Sequence, residues 1–222
     1  MDFERARYNM VEQQIRTWEV LDQEILDLLF VVKREEFVPS VYRALAFTDM
    51  EIPLTLDGRA TGENMLAPRV EARMLQGIRV RKHEVVLEIG AGSGYMAALL
   101  AHRARHVTTV EILPELAEFA QANLRRAGVL NATVQTGSGA HGWNVPETYD
   151  VIVFSGSVPF VPEIHLQQLN IGGRLAAIVG EAPVMTAQIV TRVTDTSYGV
   201  EPLFDTSTRP LVGFPQREKF RF

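Results

Sequence analysis

The stretch Val85-Val86-Leu87-Glu88-Ile89-Gly90-Ala91-Gly92-Ser93-Gly94-Tyr95 decides the fold. Its first five residues form a short, mostly apolar run of strand length. The three glycines that follow let the backbone turn tightly and approach a ligand with no Cβ in the way. Tyr95–Ala104 then reads as a helix whose N-terminus faces whatever the loop holds.

Working outward, the strand–helix alternation continues. Val107–Glu111 reads as a second strand and Pro114–Ala127 as a helix, with Pro114 in a first turn that tolerates proline and Gly128 at the expected C-terminal cap. Ala132–Gln135, Asp150–Phe154 and Arg174–Val179 follow as third, fourth and fifth strands, a pattern that implies parallel pairing with helices on both faces. Gln188–Thr194 and Val200–Phe204 flank Asp195-Thr196-Ser197-Tyr198-Gly199 and read as an antiparallel hairpin closing the sheet. The tail Gln216–Phe222 is mixed in charge and is expected on the sheet edge.

Upstream the texture differs. Val20, Leu21, Ile25, Leu28, Leu29 and Val32 recur at helical spacing, which predicts an amphipathic helix over 21–32, with a second helix around Asn9 to Ile15. Residues 48–68 read as loop, with Pro53, Gly58, Gly62 and Pro68 as breakers, before a short helix over 69–77 with Gly77 near its end. The expected organisation is a helical, lid-like extension (1–80) packed on a core (81–222).

Glycine spacing selects the ligand. A dinucleotide fingerprint places its third glycine three positions after the second, which here is Tyr95. The third glycine instead comes at Gly94, and G-x-G-x-G after an acidic strand end resembles the binding loop for S-adenosyl-L-methionine. The second strand ends in Glu111, 21 residues beyond Gly90, where a carboxylate can accept both hydroxyls of a ribose. The bland reading of Glu111 is a cap for the helix starting near Pro114. Glu88 either accepts backbone N–H groups of the loop or reaches the amino group of the methionine moiety.

Bulk composition narrows the classes. Of 222 residues, 46% are hydrophobic and 22% charged, enough for an ordinary globular core. A net charge of −5 argues against a protein that tracks phosphates, so no nucleic-acid partner is expected. The absence of cysteine excludes disulfides, thiolate zinc sites and cysteine nucleophiles. His102 and His106 sit four apart without further ligands, so no metal is expected. Charges near the N-terminus and the lack of a long apolar run lead to the expectation of a cytoplasmic protein with no membrane partner.

With these residues in hand, the chain resembles the protein-L-isoaspartate O-methyltransferase family over nearly its whole length. The resemblance is carried by Val85–Tyr95, by Gly139-Ala140-His141-Gly142-Trp143, by Tyr149–Val153 and by Gly172-Gly173-Arg174-Leu175. Upstream it is carried by Arg34–Pro39, Ala46–Asp49 and Ile52-Pro53-Leu54. It implies a Rossmann-like class I methyltransferase fold, mostly parallel with a C-terminal antiparallel hairpin, plus the N-terminal helical extension. It implies S-adenosyl-L-methionine as cofactor, held by Glu88, Gly90, Ala91, Gly92, Ser93, Gly94, Glu111, Ile112, Gly137 and Ser138. It also implies methyl transfer to the carboxylate of an abnormal aspartyl residue in damaged protein. An ionised carboxylate is already a nucleophile, so the work is alignment in a dry pocket.

Three stretches depart from the family pattern. Gly62-Glu63-Asn64-Met65-Leu66-Ala67-Pro68 stands where the family has Gly-Gln-Thr-Ile-Ser-x-Pro, so both hydroxyl residues are replaced. Gly137-Ser138-Gly139 stands for Gly-Asp-Gly and loses an acid that would contact the adenine amino group; the Ser138 hydroxyl still accepts a hydrogen bond. Ser155-Gly156-Ser157 replaces a small alanine-rich turn and adds hydroxyls at the strand end. The candidate acceptor-site residues are therefore Asn64, Met65, Leu66, Ser155, Ser157 and Arg69, the last as a partner for an acidic substrate or for Glu63 or Glu71. Two further readings stay open: a methyltransferase on this scaffold with another peptide or small-molecule carboxylate acceptor, and a cofactor-binding protein without turnover.

Overall fold

The computed structural model describes residues 2–144 and 147–215, so the expectation for the tail beyond 215 lies outside the described residues. The described residues form a seven-stranded sheet in the order β5-β4-β3-β6-β7-β8-β9. Its parallel part comprises β3 (Val85–Ile89), β4 (His106–Glu111), β5 (Ala132–Thr136), β6 (Tyr149–Val158) and β7 (Leu169–Glu181). β8 (Val184–Arg192) runs antiparallel to β7, and β9 (Tyr198–Thr206) antiparallel to β8, the hairpin expected from the sequence. The chain leaves β3 toward β4 and β5, then crosses back to β6. The strand order therefore reverses between β3 and β6, and ligands of such sheets bind in the crevice at that point.

Helix α4 (Tyr95–Arg103) explains the role of the N-terminal extension. Residues Tyr95 through Ala101 are all buried, so this helix is apolar around its whole circumference and needs cover on the side away from the sheet. The cover comes from α1 (Phe3–Asn9) with the π-helical turn Met10–Ile15, from α2 (Gln23–Val31) and from α3 (Pro68–Ile78). Met10, Ile15, Leu26, Leu29, Met74 and Leu75 share one hydrophobic cluster with α4 residues Leu99 and Leu100. Residues 1–80 and the sheet thus draw on the same core.

Two buried ion pairs stitch this layer. Arg7 pairs with Glu35, and Arg34 with Glu71 on α3. Arg34 is fully buried, donates to the Leu66 carbonyl at 2.7 Å, and its guanidinium lies 5.2 Å from the Tyr95 ring centre. One side chain thereby joins the N-terminal segment, the start of α3 and the first residue of α4.

The structure departs from the sequence reading in two places. Residues 48–68 are not loop throughout: β1 (Ile52–Leu56) and β2 (Arg59–Met65) form an antiparallel hairpin. Its two-residue turn is Asp57-Gly58, both with positive φ (49° and 75°), the geometry that matches strand twist. Pro53 is tolerated because a two-stranded ribbon has a free edge. Gly77 is the penultimate residue of α3, near its end as expected, and the helix closes on Arg79 in the left-handed region. A Cβ at Gly77 would fall 2.7 Å from Leu203 on β9, so this glycine allows close packing rather than a cap. A short helix α6 (Glu163–Gln167) was not anticipated.

Breaking a buried ion pair from one side leaves an uncompensated charge, which costs about 3–5 kcal/mol. Arg34→Leu is expected to lower unfolding stability by about that much, and Arg34→Leu with Glu71→Leu to recover most of it. Urea denaturation of the two single variants and the double variant reads the coupling; additive losses would show that the pair does not carry the packing.

Candidate active site

The crevice lies above the C-terminal ends of β3, β4 and β6. It has two lobes that share Asn64, Gly90, Gly92 and Ser155. The outer lobe is walled by Val110, Glu111, Ile112, Gly137 and Gly139 beneath, and by Leu54 and Glu63 of the hairpin. The inner lobe is walled by Met65, Leu66, Glu71, Glu88, Ala91, Ser93, Tyr95 and Met96.

The glycine loop is set by its own hydrogen bonds. Gly90 and Ala91 N–H both donate to the Val110 carbonyl, at 2.8 and 3.3 Å, which folds the loop back over β4. Gly90 has φ +95°, and a Cβ there would meet Leu211 at 2.7 Å, so both the turn and the contact require glycine. Gly94 sits in the left-handed region as the first residue outside α4 and packs on α5 (Pro114–Arg126) rather than lining the crevice.

Glu111 is buried and anchors the loop. Its Oε2 accepts Gly92 N–H at 2.8 Å, and its Oε1 accepts Leu113 N–H at 3.1 Å just before α5. The capping reading and the ligand-site reading are therefore compatible: the carboxylate steadies the helix entrance and still faces the outer lobe. Each oxygen keeps a further lone pair for a ligand hydroxyl. Ile112 and Gly137 line the same lobe, and Gly137 N–H donates to the Glu111 carbonyl at 2.8 Å. Ser138 lies just beyond, its hydroxyl 3.4 Å from the Ala140 N–H.

Glu88 is fully buried. It accepts hydroxyl hydrogens from Thr109 on Oε2 and from Ser155 on Oε1, each at 2.6 Å, and no loop N–H. Burial pushes its pKa up to about 8, against the two hydroxyl bonds. At neutral pH it is chiefly a neutral acid facing the inner lobe. Glu71 faces the same lobe; burial raises its pKa, against the pull of Arg34. The Tyr95 hydroxyl is buried there with no hydrogen-bond partner among the described residues.

The acceptor-site candidates separate. Asn64, Met65, Leu66 and Ser155 line the crevice, with Asn64 Nδ2 donating to Glu51 at 3.0 Å. Ser157 does not line either lobe: it is buried and donates to the Thr208 carbonyl at 3.1 Å. Arg69 is held by Asp49 at 2.8 Å and stacks 4.2 Å from the Trp18 ring centre, rather than pairing with Glu63 or Glu71. Trp143 anchors its loop through backbone bonds with Gln168, and His141 is exposed.

Sequence reasoning missed the roof. Leu211, Val212 and Phe214 come from the segment after β9, which runs back across the crevice through two backbone hydrogen bonds between Ser157 and the Arg209 carbonyl and Leu211 N–H. It also missed His165, buried beneath the crevice, whose Nε2 lies 2.8 Å from the Gly139 carbonyl and whose ring stacks on Phe214. Nothing local in 207–214 marks these residues; only the tertiary return of the chain brings them in. The Asp57-Gly58 turn could have revealed the hairpin and with it Leu54 and Glu63.

Comparison with known proteins gives a consistent result. The family model for protein-L-isoaspartate(D-aspartate) O-methyltransferase matches residues 5–213. The protein-L-isoaspartate O-methyltransferase of Petrotoga mobilis is 35% identical over 214 residues, covering 96% of this chain and 98% of that protein. The one from Rhodopseudomonas palustris is 40% identical over 206 residues, covering 92% of each. A solved protein-L-isoaspartate O-methyltransferase superposes with TM-score 0.77 at 25% identity, over 93% of this chain and 66% of that one. The fold is also shared with a Plasmodium falciparum structure described as a protein-L-isoaspartate O-methyltransferase in complex with S-adenosyl-L-homocysteine (TM-score 0.74, 17% identity, 91% and 96% covered). The chain belongs to the protein-L-isoaspartate(D-aspartate) O-methyltransferase family.

Proposed function

We infer that this protein is an S-adenosyl-L-methionine-dependent methyltransferase that esterifies the free carboxylate of isoaspartyl residues in damaged protein. The observation that carries this reading is the family match over residues 5–213, because that span includes the glycine loop, the hairpin and the roof residues Leu211 and Val212 of the crevice.

The site fits the cofactor on its own terms. Gly90 lines the crevice at φ +95° with no Cβ, and a Cβ there would strike Leu211 of the roof, so the loop reaches this position only as glycine. Glu111 presents acceptor capacity to the outer lobe, and Glu88 is a buried acid with hydroxyl partners and, among the described residues, no cation. Glu111 would hold the ribose hydroxyls, Ile112, Gly137 and Ser138 the adenine, and the glycine loop with Glu88 the methionine end. When bound, S-adenosyl-L-methionine supplies a methyl group on a sulfonium whose positive charge is lost on transfer.

The protein's own part is alignment and exclusion of water. The acceptor carboxylate has an ordinary pKa near 4 and enters ionised, so no general base is needed. Ser155 gives its hydroxyl hydrogen to Glu88, which makes it an orienting group at the junction of the lobes rather than a nucleophile. Met65, Leu66 and Ile89 supply apolar wall, and the segment carrying Leu211 closes the crevice from above. Holding reactants in such a pocket lowers the barrier through proximity and reduced solvent competition.

Three outcomes are expected. Labelled cofactor with an isoaspartyl peptide yields a base-labile methyl ester, whereas the matching normal aspartyl peptide does not; no ester at high enzyme concentration would reject the reading. Glu111→Ala weakens cofactor binding in calorimetry by roughly 10–100-fold, the loss of hydrogen bonds to a charged group; an unchanged affinity would remove Glu111 from the site. The third outcome concerns pH. Because the folded pKa of Glu88 stands above its unfolded value of 4.5, its stabilising contribution is complete below about pH 4.5 and is lost as pH rises through about 8. Wild-type stability should therefore fall relative to Glu88→Gln by about 1.4 kcal/mol per pH unit across that window, as measured by urea unfolding. Parallel pH profiles would contradict the neutral state of Glu88.

A further inference from the structure

The crevice is lined by carboxyl side chains: Glu63 and Glu111 in the outer lobe, Glu71 and Glu88 in the inner one. Among the described residues, none that lines either lobe is basic. An anionic acceptor approaching the outer lobe meets the carboxyl groups of Glu63 and Glu111, a repulsion that a cation at the mouth would offset. Arg69, the candidate from sequence, is engaged by Asp49 and Trp18. Arg34 is fully buried against Glu71.

Among the described residues, one further cation stands near the rim. Arg209 lies two residues before Leu211 in the roof segment, and its side chain is exposed. It makes no ion pair or side-chain hydrogen bond among the described residues, yet its charge is felt by Glu63 on the crevice wall. Its backbone is firmly held. The Arg209 carbonyl accepts Ser157 N–H at 2.9 Å, and Leu211 N–H donates to the Ser157 carbonyl at 2.8 Å. On the other side, the Thr208 hydroxyl donates to Glu51, which also accepts from Asn64 of the crevice wall. A guanidinium with no side-chain partner among the described residues thus stands on an anchored segment beside the carboxyl-lined outer lobe.

We propose that Arg209 is the specificity-determining residue that recognises the acceptor's carboxylate at the mouth of the crevice. This rests on the reading of the protein as a carboxylate methyltransferase. Arg209 offsets the repulsion from Glu63 and Glu111 for an anionic acceptor and confers no advantage on a neutral one. A guanidinium suits this role because its fork of donors matches a carboxylate, while a lysine offers only a point charge.

The test compares an isoaspartyl peptide with its own methyl ester, which removes the carboxylate charge and adds one methyl group. Binding of both to the S-adenosyl-L-homocysteine-loaded protein is measured by calorimetry, alongside KM and kcat for the acid. Arg209→Ala is expected to weaken binding of the acid about tenfold and raise KM similarly, with kcat, ester binding and cofactor affinity nearly unchanged. Arg209→Glu should be worse, Arg209→Lys intermediate, and the difference between wild type and Arg209→Ala should shrink in high salt. Unchanged acid binding in Arg209→Ala, or equal losses for acid and ester, would overturn the proposal. Wild-type protein that binds the peptide but forms no ester would sink the functional reading and leave this comparison intact. Failure of the wild type to bind the peptide at all would overturn both.

Discussion

The arrangement of the site depends on the carboxylate of Glu111. It stands at the end of β4 and accepts one N–H from the glycine loop after β3 and another from the entrance to α5. Three elements that are separate in sequence are thereby fixed to one side chain. The Val110 carbonyl next to it receives the first two loop amides, and the Glu111 carbonyl receives Gly137 from the end of β5. A buried carboxylate is tolerated only when its lone pairs are used. Backbone N–H groups use part of that capacity here, and a ligand's hydroxyls are chemically suited to the remainder. The same group that shapes the empty loop thus preorganises the loop for binding, which reduces the ordering cost when a ligand arrives.

The inner lobe follows a different logic. Glu88 and Ser155 meet across the boundary between β3 and β6, where the strand order reverses. Strand alignment alone brings a residue from each side of the reversal to the same depth. Arg34 then closes the lobe from below by holding Leu66 and Glu71 and lying against Tyr95. The N-terminal layer is consequently more than cover for α4. It sets the wall on which Met65 and Leu66 face the reacting groups, so packing in residues 1–80 and geometry at the site are linked through one buried guanidinium.

Much of this was legible in the sequence, for physical reasons. Buried parallel strands read as apolar runs, and Val85–Ile89 and Asp150–Phe154 were recognised as strands on that basis. Pro114 and Gly128 mark the two ends of α5 because their backbone preferences fit only there. Glycine spacing and Glu111 identified the ligand-facing loop. The hairpin 52–65 was obscured because Pro53, Gly58 and Gly62 look like breakers, although Asp57-Gly58 carries the turn signal. The roof could not be read at all. Leu211 and Phe214 join the crevice through backbone pairing with Ser157 and stacking on His165, interactions with no local pattern. The acceptor candidates divided for the same reason: Asn64 and Ser155 lie where strand ends converge, whereas Ser157 and Arg69 were claimed by neighbours that sequence does not disclose.

The central claim is that the crevice between the glycine loop and Glu111 is the donor site. A crystal structure of the complex with S-adenosyl-L-homocysteine tests it most directly. The account predicts ribose hydroxyls on Glu111, adenine over Ile112 and Gly137, and the sulfur at the junction formed by Asn64 and Ser155. Ribose bound away from Glu111, or the ligand seated outside this crevice, would contradict it.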